Sequence, residues 1–207
     1  IAGTTGVLTG TSYAVQCGAL RDLLSFPTRR SSDPAGTFTL SGANTYTGLT
    51  TVSAGTLAEG ANNALSSGGL TVSGGTFDIG TFTDTVGAVT LASGNIAGTT
   101  GVLTGTSYAV QSGAISAILG GAGALTKTTA GTVTLSGANT YTGVTTISAG
   151  TLTASGGNAI ADTSQVTLAN AAGATLNLAG NETIGNLSGG GATGGNVTAV
   201  LCGDDSM

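Results

Sequence analysis

Side chains able to do chemistry are few in this sequence, and they do not assemble into a known catalytic set. None of the 207 residues is His, so Ser-His-Asp and Cys-His arrangements are impossible, and zinc would lack its usual nitrogen ligands. Carboxylates remain, and paired acids can cleave polysaccharides. The candidates are Glu59, Asp78, Asp84, Asp162, Glu182 and the Asp204-Asp205 pair. They are scattered and mostly do not recur between the internal copies described below, so they read as solvated loop charges. Gly74-Gly75-Thr76-Phe77-Asp78 begins a calcium-repeat pattern, Gly-Gly-x-Gly-x-Asp, but does not complete it. Tyr46 and Tyr141 occupy equivalent Asn-Thr-Tyr-Thr-Gly sites, and Tyr13 and Tyr108 equivalent Thr-Ser-Tyr-Ala-Val sites. Exposed Tyr could anchor a glycan; the plainer expectation is that each ring covers a coil edge or corner with its hydroxyl in water. Thr-x-Thr pairs at Thr37/Thr39, Thr81/Thr83, Thr132/Thr134 and Thr151/Thr153 raise ice binding, but their spacing is irregular. No catalytic, cofactor or metal site is expected, and the chain reads as no enzyme.

Composition narrows the class further. Only 6% of residues are charged, against about 25% in ordinary globular domains. Yet 40% are hydrophobic and 38 are Gly, so the chain can bury apolar surface, which a disordered chain cannot. The net charge of −5 reflects scarce bases: Arg21, Arg29, Arg30 and Lys127. Nucleic acid and anionic membranes need clustered Lys and Arg, so neither is an expected partner. No stretch approaches the ~20 apolar residues of a membrane-spanning helix. The chain begins at Ile1 inside a repeat unit, which suggests a fragment.

The elements that position these residues are repeats. IAGTTGVLTGTSYAVQ (Ile1–Gln16) recurs unchanged at Ile96–Gln111, an offset of 95, and the same offset relates Ala35–Leu57 to Ala130–Leu152. This predicts a first unit at 1–95, a second at 96–190, and a partial or frame-shifted remainder at 191–207. Within each unit, Gly-Thr-apolar starts recur at Gly36, Gly55, Gly75, Gly131 and Gly150. Between them the alternation has period two, as in Thr37-Phe38-Thr39-Leu40, the sign of half-buried strands. Clusters such as Ser41-Gly42-Ala43-Asn44 supply turns.

Strands returning every ~15–24 residues, with small aliphatic side chains and few aromatics, fit a narrow solenoid better than a sandwich, whose core needs larger groups. About ten coils stacked at ~4.8 Å are expected. A straight rod also keeps Cys17 and Cys202, its two cysteines, beyond the ~7 Å Cα separation of a disulfide, and they read as incidental thiols.

The stretch GAGALTKTTAGTVTLSGANTYTGVTTISAGTL (Gly121–Leu152) resembles the autotransporter-associated β-strand repeat, also called the passenger-associated transport repeat. It is similar in its Leu-Thr-Lys-Thr opening, its Thr-Leu-Ser-Gly-Ala-Asn-Thr-Tyr-Thr-Gly centre and its Ser-Ala-Gly-Thr-Leu close. Residues Ala35–Leu57 match without the opening. The resemblance implies an all-β, right-handed parallel β-helix (β-solenoid) in a bacterial protein that is secreted or anchored at the outer membrane. There it would serve as stalk or passenger, assist translocation and contribute to adhesion. It implies no catalytic residues and no cofactor. Glycans or surface proteins are the partners it admits, with no membrane contact by this segment. A glycan-binding adhesin module is the alternative, and an ice-binding or polysaccharide-cleaving β-helix a more remote one. Sequons at Asn181, Asn186 and Asn196 then read as chance products of Asn/Thr-rich loops.

One segment breaks the pattern. Arg21–Pro34 (RDLLSFPTRRSSDP) stands where the second unit has Ser116–Thr129, and it holds both prolines and three of the four bases. Proline cannot donate to a strand ladder. A basic loop inserted for binding is one reading; the preferred one is that SFPTRRSSD resembles a sequencing adapter translated in one frame, and a local break in the ladder is expected there.

Overall fold

The computed structural model describes residues 13–16, of which the backbone alone, 36–42 and 44–199. Cys17, Cys202, the Arg21–Pro34 segment and Asp204-Asp205 lie outside them. The described residues form seventeen strands and no helix. All strand pairs are parallel, in three ladders. The first runs through β1 (Tyr13–Gln16), β3 (Thr50–Ala54), the start of β5 (Leu70–Asp78), the middle of β6 (Thr83–Ala97), the end of β7 (Val102–Val110), β10 (Ala124–Lys127), β12 (Thr145–Ile147), β14 (Gln165–Leu168) and β16 (Asn186–Gly189). The second joins β2 (Thr37–Leu40), β4 (Thr56–Glu59), the ends of β5 and β6, β8 (Gly113–Ile115), β11 (Thr132–Leu135), β13 (Thr151–Ala154), β15 (Thr175–Leu178) and β17 (Asn196–Ala199). The third is short: the starts of β6 and β7, then β9 (Ile118–Gly120).

Each strand therefore meets its counterpart one coil later, and the chain is the expected parallel β-solenoid, of about 9 turns. Coil length varies: Val102 meets Ile118 after 16 residues, and Leu152 meets Leu176 after 24. The strands hold register while the loops absorb the difference. One step differs from the rest. Tyr13 pairs with Thr50, 37 residues on. In the second unit the equivalent Tyr108 and Thr145 are also 37 apart, but Leu125 of β10 stands between them. Among the described residues, no first-unit strand stands between Tyr13 and Thr50.

Alternation directs every second side chain inward. One inward column is Val52, Val72, Leu91, Val110, Lys127, Ile147 and Leu168; another is Leu57, Phe77, Ile96, Ile115, Leu135 and Ala154. All of these are buried. Each large aliphatic so covered contributes roughly 1.5–3 kcal/mol, and the columns bind coil to coil along the rod. At the corner before the second ladder, Gly55 and its counterpart Gly150 have φ of 64° and 68°. A Cβ on Gly150 would lie 2.3 Å from the Thr129 carbonyl oxygen. This explains the Gly in both Gly-Thr-Leu starts.

Small aliphatics do not fill the interior alone. Tyr46, Tyr108, Tyr141 and Phe77 are among the largest fully buried side chains, which corrects the expectation that the hydroxyls of these tyrosines reach water; the Tyr13 side chain lies outside the described residues. The rings enter because glycine leaves room. A Cβ on Gly105 would sit 3.0 Å from the Tyr108 ring. The Tyr108 hydroxyl accepts from Gly105 N at 2.7 Å and has Gly120 O at 2.6 Å and Leu103 O at 2.9 Å to take its proton. A Tyr is buried where its hydroxyl finds partners, and here the backbone supplies them. Tyr108 and Tyr141 also pack ring on ring, 6.1 Å apart and inclined at 52°.

Candidate functional site

Outside, the solenoid presents columns of hydroxyls. On the first ladder the outward column is Thr51, Thr71, Thr90, Ala109, Thr126, Thr146, Thr167 and Ser188. On the second it is Thr37, Thr56, Thr76, Asn95, Ala114, Thr134, Thr153, Asn177 and Thr198. Of the Thr-x-Thr pairs, Thr37, Thr134 and Thr153 fall in this second column, which Asn95, Ala114 and Asn177 interrupt, while Thr83 pairs instead with Val102. Several members bond along the column: Thr198 donates to Asn177 Oδ1 at 2.8 Å, and the Thr167 and Ser188 hydroxyls are 3.2 Å apart. On the first ladder Thr51, Thr71, Thr90, Thr126, Thr146 and Thr167 are flanked on one side by Leu49, Gly69, Ala88, Ala124, Val144 and Gln165.

The acidic residues separate by environment. Asp162 is exposed, as expected of a loop charge. Asp78 accepts from Gly80 N at 2.9 Å, closing its turn. Glu59 and Asp84 contradict the expectation of solvated charges: they are 6% and 2% exposed. Asp84 Oδ2 accepts from Leu65 N at 2.7 Å, while Asp84 Oδ1 and both Glu59 carboxyl oxygens meet no donor. Burial, and then the neighbouring Asp84, push the Glu59 carboxyl up to about 9. Burial also raises Asp84, opposed first by the hydrogen bond with the Glu59 carboxyl and then by backbone N–H groups. The alternation that faces Leu57 inward also turns Glu59 inward, two positions along the same strand.

Glu182 is half-buried and accepts from Ala159 N at 3.1 Å and Ile160 N at 2.6 Å, one coil earlier; burial raises its pKa. It does at Ala159-Ile160 what Asp84 does at Leu65, 95 residues earlier than Ile160. Asn139 completes the pattern. Its Oδ1 accepts from Leu119 N at 2.7 Å and its Nδ2 donates to Ala159 O at 2.5 Å. Asn44 likewise donates to Ala64 O at 2.5 Å. At this corner, where few strands pair, side chains replace missing ladder bonds. Tyr46 and Tyr141 stand two residues on, their hydroxyls 2.6 and 2.7 Å from those of Thr50 and Thr145. Asn44 and Asn139 were legible only as turn residues; their recurrence in both units was the available signal.

Lys127 fills an inward position with no exposure, and burial lowers its pKa. Its ammonium donates to the Thr129 carbonyl, to Ala149 O at 3.2 Å and to the Thr129 hydroxyl at 3.4 Å. It closes the corner between two coils, which accounts for a Lys within an otherwise uncharged repeat. Among the described residues no three His, Cys, Asp or Glu cluster as a metal site would require, and no helix is long and apolar enough to cross a membrane.

Comparison with known proteins meets these observations at the repeats. The model of the passenger-associated-transport-repeat matches residues 35–58 and 125–154, the two stretches that contain the Asn-Thr-Tyr-Thr-Gly corner. The chain is similar to the adhesin BmaC autotransporter of Brucella suis biovar 1 (strain 1330), with 38% identity over 172 residues. The match takes in 77% of this chain and 5% of that relative. No solved structure matches.

Proposed function

We infer, from a chain that carries two passenger-associated-transport repeats and is a passenger-like segment of an autotransporter, that it serves as a stalk at the cell surface and assists its own passage outward. The observation that carries this reading is the continuous parallel ladder, whose inward columns pass through both repeats. Such a chain adds length coil by coil, each coil contacting its neighbours, and can fold progressively as it emerges. The burial of Glu59 and Asp84 supports a non-catalytic reading, since a polysaccharide could not reach them. A passenger containing this chain, fused to a β-barrel translocator, tests the proposal. Removal of residues 125–154 should lower the protease-accessible protein at the surface several-fold; equal display would refute it.

A second reading is favoured by the outward hydroxyl columns and by the similarity to a protein named an adhesin: the segment contributes to attachment, with glycans or surface proteins as partners. Binding of the purified chain to a glycan array or to host-cell surfaces tests it. Absence of binding in both would leave the stalk alone.

A further inference from the structure

Glu59 ends β4 and Asp84 lies near the start of β6; both are buried, and Asp84 is the carboxyl that neighbours Glu59 within hydrogen-bonding reach inside the solenoid. Three of their four oxygens have no donor as carboxylates, and a carboxylate only accepts. The strands packed against β4 are β2 and β5, and those packed against β6 are β5, β7 and β8. Their titratable groups are Asp78, turned to Gly80 N, and Tyr108, bonded to backbone. None of these strands carries Lys or Arg, so among the described residues no cation faces the pair. Two buried like charges without a counter-charge are not sustainable, and the least demanding remedy is a proton.

We propose that Glu59 and Asp84 share one proton inside the solenoid, forming a clasp between coils that opens as the medium turns alkaline. Glu59 holds the proton and donates it to Asp84 Oδ1, while Asp84 Oδ2 keeps its bond from Leu65 N. Hydroxide removes the proton as water and leaves two facing carboxylates, which part and release Leu65. The direction is fixed by the raised folded-state pKa of Glu59, about 9 against 4.5. The stabilisation is complete below the unfolded value and is lost as pH rises toward the folded one.

The test is thermal unfolding of the whole chain at several pH values from about 6 to 9.5, for wild type and for Glu59→Gln, whose amide donates to Asp84 at every pH. Wild type should lose on the order of 10 °C across this range, and E59Q should stay level. Infrared spectra of the wild type should show a buried carboxylic-acid carbonyl band at neutral pH that fades above about pH 9 and is missing from E59Q. Equal slopes for the two proteins, or no such band in the wild type, would overturn the clasp. Should E59Q not fold, the band and its titration in the wild type decide alone.

Discussion

Asn139→Ala is the perturbation with the most readable consequence. The side chain is 4% exposed and connects three successive coils, accepting from Leu119 N and donating to Ala159 O. Alanine removes both partners and leaves one backbone donor and one acceptor buried. An unsatisfied buried group costs about 1–3 kcal/mol. Ala159 N is still held by Glu182, which limits relaxation at that end, so a total of about 3 kcal/mol is expected. For a chain of this length each kcal/mol moves the midpoint by about 2–4 °C, giving a drop of about 6–12 °C. Far-ultraviolet circular dichroism during heating reads the midpoint. Amide exchange then localises the loss, which should concentrate at Leu119 and its neighbours rather than spread along the rod. Asn139→Asp should fall in the same direction, because it keeps the acceptor but faces the Ala159 carbonyl with a negative charge. A midpoint within about 1 °C of wild type would refute the coil-bridging role, as would uniform loss of protection.

Leu152 is fully buried between Val133 and Leu176, so Leu152→Ala should cost about 2–5 kcal/mol in urea denaturation. Gly150→Ala requires positive φ and brings Cβ to 2.3 Å from a carbonyl oxygen; destabilisation above about 1 kcal/mol is expected. Burial pushes the Tyr141 hydroxyl up to about 12 and also raises Tyr108, so ultraviolet titration should find at least one tyrosine still protonated when free tyrosine is fully ionised. Because that pKa is raised, its stabilisation is lost as pH rises from about 10 toward 12. Deleting residues 132–150 joins Gly131 to Thr151, a residue in register with Thr132. The shortened chain should stay folded with a rod about 4.8 Å shorter, measurable by small-angle scattering.

Much of the architecture was legible in the sequence because alternation and stacking are both local matters. Thr37-Phe38-Thr39-Leu40 and Thr132-Val133-Thr134-Leu135 read as strands and are β2 and β11. The interior was less legible. Tyr108 is amphipathic, and its burial depends on Gly105 and Gly120, the latter of which sits a coil away. Glu59 and Asp84 are 25 positions apart, close to one coil length, yet coils vary from 16 to 24 residues. Facing positions therefore could not be assigned by counting. The same variation hid the outward Thr columns, which exist in register but not in sequence spacing.

Coil register underlies every column and corner of the solenoid. Cysteines placed at Thr71 and Thr167, with Cys17 and Cys202 replaced by Ser, would carry spin labels on one outward column. Five rungs separate these positions, which places their backbones about 24 Å apart at about 4.8 Å per rung. Double electron–electron resonance should give a narrow distribution centred near that distance once the label arms are allowed for. A broad distribution, or a sharp one far from it, would contradict the solenoid.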